Sequence, residues 1–251
     1  MENNASYLIT GASSDIGIAV LKKIQQEAEK QLVQVNVLAH TYSNADKLKS
    51  LAEELPNINI FVHTADLSDV AQVDSLIEKC KSTIELPTHF LHLPAIPLIY
   101  QKLKDASWEK LAMDLEVQVH SFHSIAKAVL PGMAKRKSGK VVVMLSECTL
   151  GVPPKFMSSY VTVKYALLGL TKALAAEYAE KGLNINAISP AMMETKFLSE
   201  IDERLIEMNA AASVKKRNAT TEEVAEGISY LLSSGSDYMS GVNLNLSGGN
   251  R

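Results

Sequence analysis

The chain has 251 residues, a formal charge of −3 and a pI near 6.1, with 47% hydrophobic and 21% charged residues. That balance excludes a largely disordered chain, and it offers no basic surface for nucleic acid or for an acidic membrane. Cys80 and Cys148 show no metal-ligand spacing and form no disulfide framework, so a reducing compartment is expected. The opening Met1-Glu2-Asn3-Asn4 lacks the regions of a signal peptide, and no apolar run approaches the roughly 20 residues a membrane helix needs. The expectation is a soluble, cytoplasmic protein, folded as one large domain over 1–251.

In chain order, short apolar runs alternate with longer amphipathic ones. Strands are expected at Ser6–Thr10, Val33–Ala39, Ile58–His63, His89–Leu93, Val141–Ser146, Leu183–Ile188 and Val242–Leu246. Between them, helices are expected at Ile16–Lys30, Asn44–Glu54, Ser68–Ser82, Trp108–Met133, Met157–Glu180 and Thr220–Leu232. A further helical pattern runs from Thr195 to Asn218. Lys135-Arg136-Lys137 reads as the solvated end of a helix, not as a binding patch. Strands alternating with helices imply an α/β fold: a doubly wound, Rossmann-type parallel sheet of about seven strands with helices on both faces. Ligands of such sheets bind at the carboxyl ends of the strands.

The first strand runs into Thr10-Gly11-Ala12-Ser13-Ser14-Asp15-Ile16-Gly17. Gly11 suits a tight turn and Gly17 close packing of helix on sheet. The amides at the helix start can hold a pyrophosphate, with Ser13 and Ser14 as hydroxyl donors. Asp15 places a carboxylate near that anion, so it is expected to turn outward or cap helix amides and to weaken cofactor binding modestly.

Tyr160 and Lys164 are spaced to share one helical face. A phenol with a pKa of about 10 is a poor acid or base at neutral pH, and a neighbouring ammonium lowers it. Ser146, expected at the end of the fifth strand, supplies a hydroxyl near them.

These stretches resemble the short-chain dehydrogenase/reductase family, and the resemblance runs over essentially the whole chain. It implies hydride exchange between a nicotinamide cofactor and a ketone or secondary alcohol, with 3-oxoacyl-carrier-protein reductases the nearest general likeness. It implies Tyr160 as acid/base, Lys164 as its activator and holder of the nicotinamide ribose, and Ser146 as the group that polarises the substrate oxygen. Counting forward from Gly139 gives Ser146; counting back from Tyr160 by the family's usual spacing gives Glu147. The strand count is preferred, because the intervening loop carries Pro153-Pro154. Where the family has an asparagine holding a relay water, Gln118 stands.

The resemblance also implies cofactor contacts from Gly11, Ser13, Ser14, Ile16, Gly17, Thr41, Asp66, Leu67, Tyr160, Lys164, Pro190, Met193 and Thr195. Asp66 can equally cap the helix that follows it. His92-Leu93-Pro94-Ala95 replaces the family's Asn-Asn-Ala-Gly and loses its polar side chains. No acid follows the second strand, where NAD enzymes bond the ribose. His40, Thr41, Ser43 and Asn44 could bond a 2′-phosphate, so NADP is favoured over NAD. Residues 191–218 are expected to form a substrate lid. Phe156 and Met157 would stand on the opposite side of an apolar pocket, with Met192-Met193 as apolar wall. His120 and His123 share a face without partners for a metal. A homodimer or homotetramer through the two long helices is implied. The competing expectation is a scaffold or sensor that binds nucleotide without catalysis, suggested by Asp15, the altered turn and Gln118.

Overall fold

A computed structural model of the chain describes residues 5–249. Seven parallel strands form one sheet in the order β3-β2-β1-β4-β5-β6-β7. They are β1 (Ser6–Thr10), β2 (Val35–Thr41), β3 (Ile58–Thr64), β4 (His89–His92), β5 (Gly139–Met144), β6 (Leu183–Pro190) and β7 (Asn243–Leu246). The helices are α1 (Asp15–Lys30), α2 (Ala45–Glu54), α3 (Val70–Ile84), α4 (Trp108–Leu115), α5 (Ser121–Arg136), α6 (Ser158–Tyr178), α7 (Glu203–Ala212) and α8 (Thr221–Leu232). All β1 residues are buried, because the sheet is covered on both faces.

Alternation along the strands feeds two cores. Tyr7 and Ile9 pack with residues of α1, α2 and α8 on one face. Leu8 and Phe90 pack with α3, α5 and α6 on the other. The strand order reverses between β1 and β4, which opens a crevice at their carboxyl ends.

Local chemistry sets the helix starts. The Ser14 hydroxyl caps α1, and Thr220 with Glu223 makes a reciprocal capping box at α8. Asp69 caps α3, so Asp66 does not serve as that helix's cap. Three expected elements differ. The stretch expected as one helix over 108–133 is α4, a π-helical segment Glu116–His120, and α5, which runs through Pro131 to Arg136. Strand β5 stops at Met144, and Ser146 heads a 3₁₀ turn, Glu147–Thr149. The 195–218 stretch holds only a 3₁₀ turn, Lys196–Leu198, and the short α7. Lys135, Arg136 and Lys137 are exposed at the end of α5, as expected. Among the described residues no helix is long and apolar enough to cross a membrane.

Candidate active site

A cleft of about 580 Å³ runs across the carboxyl ends of the strands. Its walls include Gly11, Ser13, Ser14 and Ile16 at one end and Ser146, Tyr160 and Lys164 at the other.

At the first end the backbone makes the shape. Gly11 has φ +72°, and a Cβ there would press on Leu93 and Pro94. A Cβ on Gly17 would lie 2.4 Å from the Ala12 carbonyl oxygen, so only glycine lets α1 start against this turn. His40 ties the loop from below. Its Nδ1 accepts the Gly11 N–H at 3.1 Å, and its Nε2–H donates to the Ala65 carbonyl at 2.9 Å. Burial pushes the His40 pKa down to about 4, so it stands there as a neutral ring. Ser13 shares a hydrogen bond with Thr41, and Ser14 is spent on the helix cap. Asp15 turns away from the turn's amides. One carboxylate oxygen accepts the Lys196 backbone N–H at 3.0 Å, and the other faces Lys47 Nζ at 3.4 Å. Asp66 accepts from the Ser68 amide and hydroxyl, and its neighbour Leu67 lines the same wall.

At the other end, four elements converge. Lys164, 2% exposed on α6, donates to Gln118 Oε1 at 2.7 Å and to the Met144 carbonyl at 3.1 Å. Its Nζ lies 5.6 Å from the centre of the Tyr160 ring. Burial lowers the lysine to about 8, and Asp114 and Cys148 oppose that shift. The Tyr160 phenol is pushed well above its ordinary value by burial, and the Ser146 hydroxyl pulls it back. The expected lowering of the phenol by Lys164 is therefore not present in this arrangement, where the ammonium is drawn to Gln118 and Met144. His92 is also neutral, its pKa lowered by burial to about 3. Its Nδ1 accepts from the Thr10 hydroxyl at 2.8 Å while Nε2–H donates to the Gln118 carbonyl at 2.9 Å. The turn after β4 thus keeps a working polar side chain, contrary to expectation.

Between the ends, an apolar cluster covers Tyr160. Leu98, Met157, Leu198 and Ile201 are buried together, with Tyr100, Met192 and Phe197 packed on them. The Phe197 ring stands 5.9 Å from that of Tyr160. Backbone bonds lace this cover: Leu98 N–H donates to the Phe197 carbonyl, and Gln101 N–H to the Phe156 carbonyl.

Most residues singled out from the sequence meet in this cleft, including Asp66, Leu67, Pro190, Met193 and Thr195. Four depart from it. Gly17 and Thr41 are buried behind the wall, where one admits the helix and the other braces Ser13 and Asn44. Gln118 sits wholly buried behind Lys164. Phe156 is 50% exposed at φ +67° and forms no part of the pocket wall, unlike Met157. Lys47, Leu98, Tyr100 and Asp114 escaped notice, because each lies on a helix or loop with no motif of its own. His120 pairs with Glu116 at 2.6 Å, and among the described residues no three His, Cys, Asp or Glu side chains gather as a metal site. Cys80 and Cys148 are free and buried.

The donor set fits a dinucleotide. A glycine-shaped turn at a helix start leaves room for phosphates, and a buried lysine beside a phenol stands at the far end. A family model described as enoyl-(acyl carrier protein) reductase matches residues 11–251. The oxidoreductase UcpA of Salmonella typhimurium (strain LT2) is 29% identical over 96% of this chain and 92% of its own. The 3-oxoacyl-[acyl-carrier-protein] reductase FabG of Rickettsia prowazekii is 26% identical over 96% and 95%. Among solved structures, levodione reductase superposes with a TM-score of 0.87 at 22% identity, covering 98% of this chain and 96% of that one. ElxO with NADP bound gives 0.84 at 24% identity over 98% of both chains. NAD⁺-bound xylitol dehydrogenase gives 0.84 at 21% identity over 99% and 100%. With the sheet order, the cleft and the match over nearly its full length, the chain belongs to the short-chain dehydrogenase/reductase family and is a nicotinamide-dependent oxidoreductase.

Proposed function

We propose that the enzyme interconverts a ketone and a secondary alcohol, with NADP favoured over NAD. The observation that carries this reading is the convergence of Ser146, Tyr160 and Lys164 at one end of a cleft whose other end is the Gly11 turn. The bound cofactor supplies or removes a hydride at the substrate carbon. Gly11, Ser13, Ile16, Asp66, Leu67, Pro190, Met193 and Thr195 would hold it along the cleft. Ser146 would donate to the substrate oxygen, and Tyr160 would give or take the proton there. Lys164 would favour the charged form of the phenol once its Nζ engages the ribose beside it. Leu98, Met157 and Phe197 make the substrate wall apolar, with 191–218 as its lid, and so exclude water from the reacting oxygen. Gln118 touches Lys164 directly, which supports a working site over the scaffold reading. Tyr165 stands 43% exposed on α6, a surface that a second copy in a homodimer or homotetramer would cover.

The preference for NADP rests on Lys47. It lines the cleft beside Tyr42, Ser43 and Asn44, where a 2′-phosphate would lie, and no acid stands at the end of β2. Buried, neutral His40 is removed from that role. Titration of nicotinamide fluorescence with NADPH and NADH, followed by a carbonyl screen with the tighter one, tests the reading. Lys47→Ala should weaken NADPH by roughly tenfold and NADH by much less, because the uncovered Asp15 carboxylate burdens both cofactors alike while only NADPH loses a charge-assisted contact. Equal affinities in the wild type would remove the NADP preference, and binding of neither cofactor would remove the proposed reaction.

A further inference from the structure

Asp114 lies in the last turn of α4, immediately before the π-helical segment, and is 5% exposed. A carboxylate buried this deeply is costly unless paired. Its Oδ1 accepts from Gln118 Nε2 at 2.5 Å, and the Ile96 backbone N–H also donates to the carboxylate. Gln118 passes the contact on, its Oε1 receiving Lys164 Nζ at 2.7 Å. The main-chain carbonyl of Gln118 is taken by His92. Its side-chain oxygen and nitrogen and its main-chain carbonyl are thus all engaged. An amide that donates from nitrogen and accepts on oxygen does not hand a proton along. A strut thus runs from Lys164 through Gln118 to a buried carboxylate.

The groups facing Lys164 are Asp114 and Gln118 from the α4 side, Cys148 after β5, the Met144 carbonyl, His92 at the end of β4 and Tyr160 on its own helix. Burial keeps the Cys148 thiol and the His92 ring neutral; it also raises Asp114, but Gln118, Lys164 and the Ile96 amide oppose that, so Asp114 is the carboxylate of this set that its neighbours hold toward the charged form. The π-helical segment, with one extra residue per turn, brings Gln118 between the two.

We propose that Asp114 is the buried counter-charge of Lys164, a positioning residue that acts through Gln118 to keep the lysine an ammonium beside Tyr160. The proposal rests on the reading of Lys164 given above and deepens it. Its test needs no substrate, so the two can fail separately. The full-length protein labelled with ¹³C at lysine Cε is titrated by NMR, with the Lys164→Arg spectrum identifying the resonance. The wild-type midpoint is expected at about 8. In Asp114→Asn, which keeps size and hydrogen-bond acceptance, it should fall by roughly one pH unit or more, and Asp114→Glu should restore most of that shift. An unchanged midpoint in Asp114→Asn overturns the proposal. Should that variant fail to fold, the wild-type Asp114 Cγ resonance decides: a step at the Lys164 midpoint supports the pairing, and a flat line through it contradicts it. Loss of turnover in Tyr160→Phe bears only on the reaction, not on this pair.

Discussion

The two ends of the cleft are held in place by different means. At the phosphate end the backbone does the shaping: Gly11 takes a left-handed turn and Gly17 admits the helix. Side chains there mostly bond to one another, as Ser13 does with Thr41 and Asp15 with Lys47. At the catalytic end the backbone is ordinary helix and strand, apart from the π-helical segment and the 3₁₀ turn after Ser146. The proposed site is made of side chains delivered from four separate elements, with Lys164 and Gln118 wholly buried and Ser146 and Tyr160 half-buried. A neutral histidine at a strand end braces each half, His40 under the Gly11 turn and His92 under the Gln118 carbonyl. One end is thus sensitive to added atoms, the other to altered charge.

The largest expected effect comes from acid. His40, His89 and His92 have folded-state pKa values near 4, 4 and 3, below the ordinary 6.5. Between those values and 6.5 the unfolded chain binds more protons. Stability is therefore full above about pH 6.5 and falls as the pH drops toward 4, with a slope of up to roughly 4 kcal/mol per pH unit for the three together. Urea unfolding at pH 7, 6 and 5 measures this, and a midpoint that stays constant to pH 5 would show that the rings are not buried as described. His89 serves as the outgroup in that test. It stacks on Tyr7 with ring centres 4.3 Å apart and donates to the Leu232 carbonyl, away from the cleft. His89→Gln should flatten the slope without changing cofactor affinity.

Next in size is Gly17→Ala. The added methyl meets the Ala12 backbone, which must move; overpacking of this kind costs about 1–3 kcal/mol, and if the turn that shapes the phosphate end bears that cost, cofactor affinity falls by roughly 5- to 140-fold. Fluorescence titration should show that loss while Lys164 keeps its wild-type titration. If affinity holds, the phosphate end is not shaped by its glycines. The smallest effect is that of Asp15→Gly. Its charge is already offset by Lys47, so NADPH affinity should rise only about two- to threefold. The bond to the Lys196 amide is lost as well, so proteolysis near 195–198 should quicken. Unchanged or weaker cofactor binding would contradict the cost assigned to Asp15.

The same contrast explains what was legible in the sequence. Continuous apolar runs such as Val141–Met144 announce strands buried on both faces, and β1 falls where its pattern puts it. The Gly11 turn and the Tyr160–Lys164 pair are local patterns, carried by neighbours along the chain. The Asp114–Gln118–Lys164 strut is not local, since Gln118 and Lys164 stand 46 positions apart. Nor does the sequence reveal the π-helical segment, because i to i+5 bonding is a property of the backbone that no residue of Glu116–His120 announces. His92 looked like the loss of a polar turn because its partners, Thr10 and Gln118, come from distant strands and helices.

In the proposed reaction everything turns on Tyr160, set between Ser146 and Lys164, as the group that moves the proton. The most direct measurement is turnover of Tyr160→Phe on a carbonyl substrate found with the wild type, alongside its cofactor affinity. A fall in kcat of about 10²- to 10⁴-fold is expected, with cofactor affinity within about threefold of wild type, as loss of general acid–base catalysis requires. A variant that keeps its turnover would contradict it.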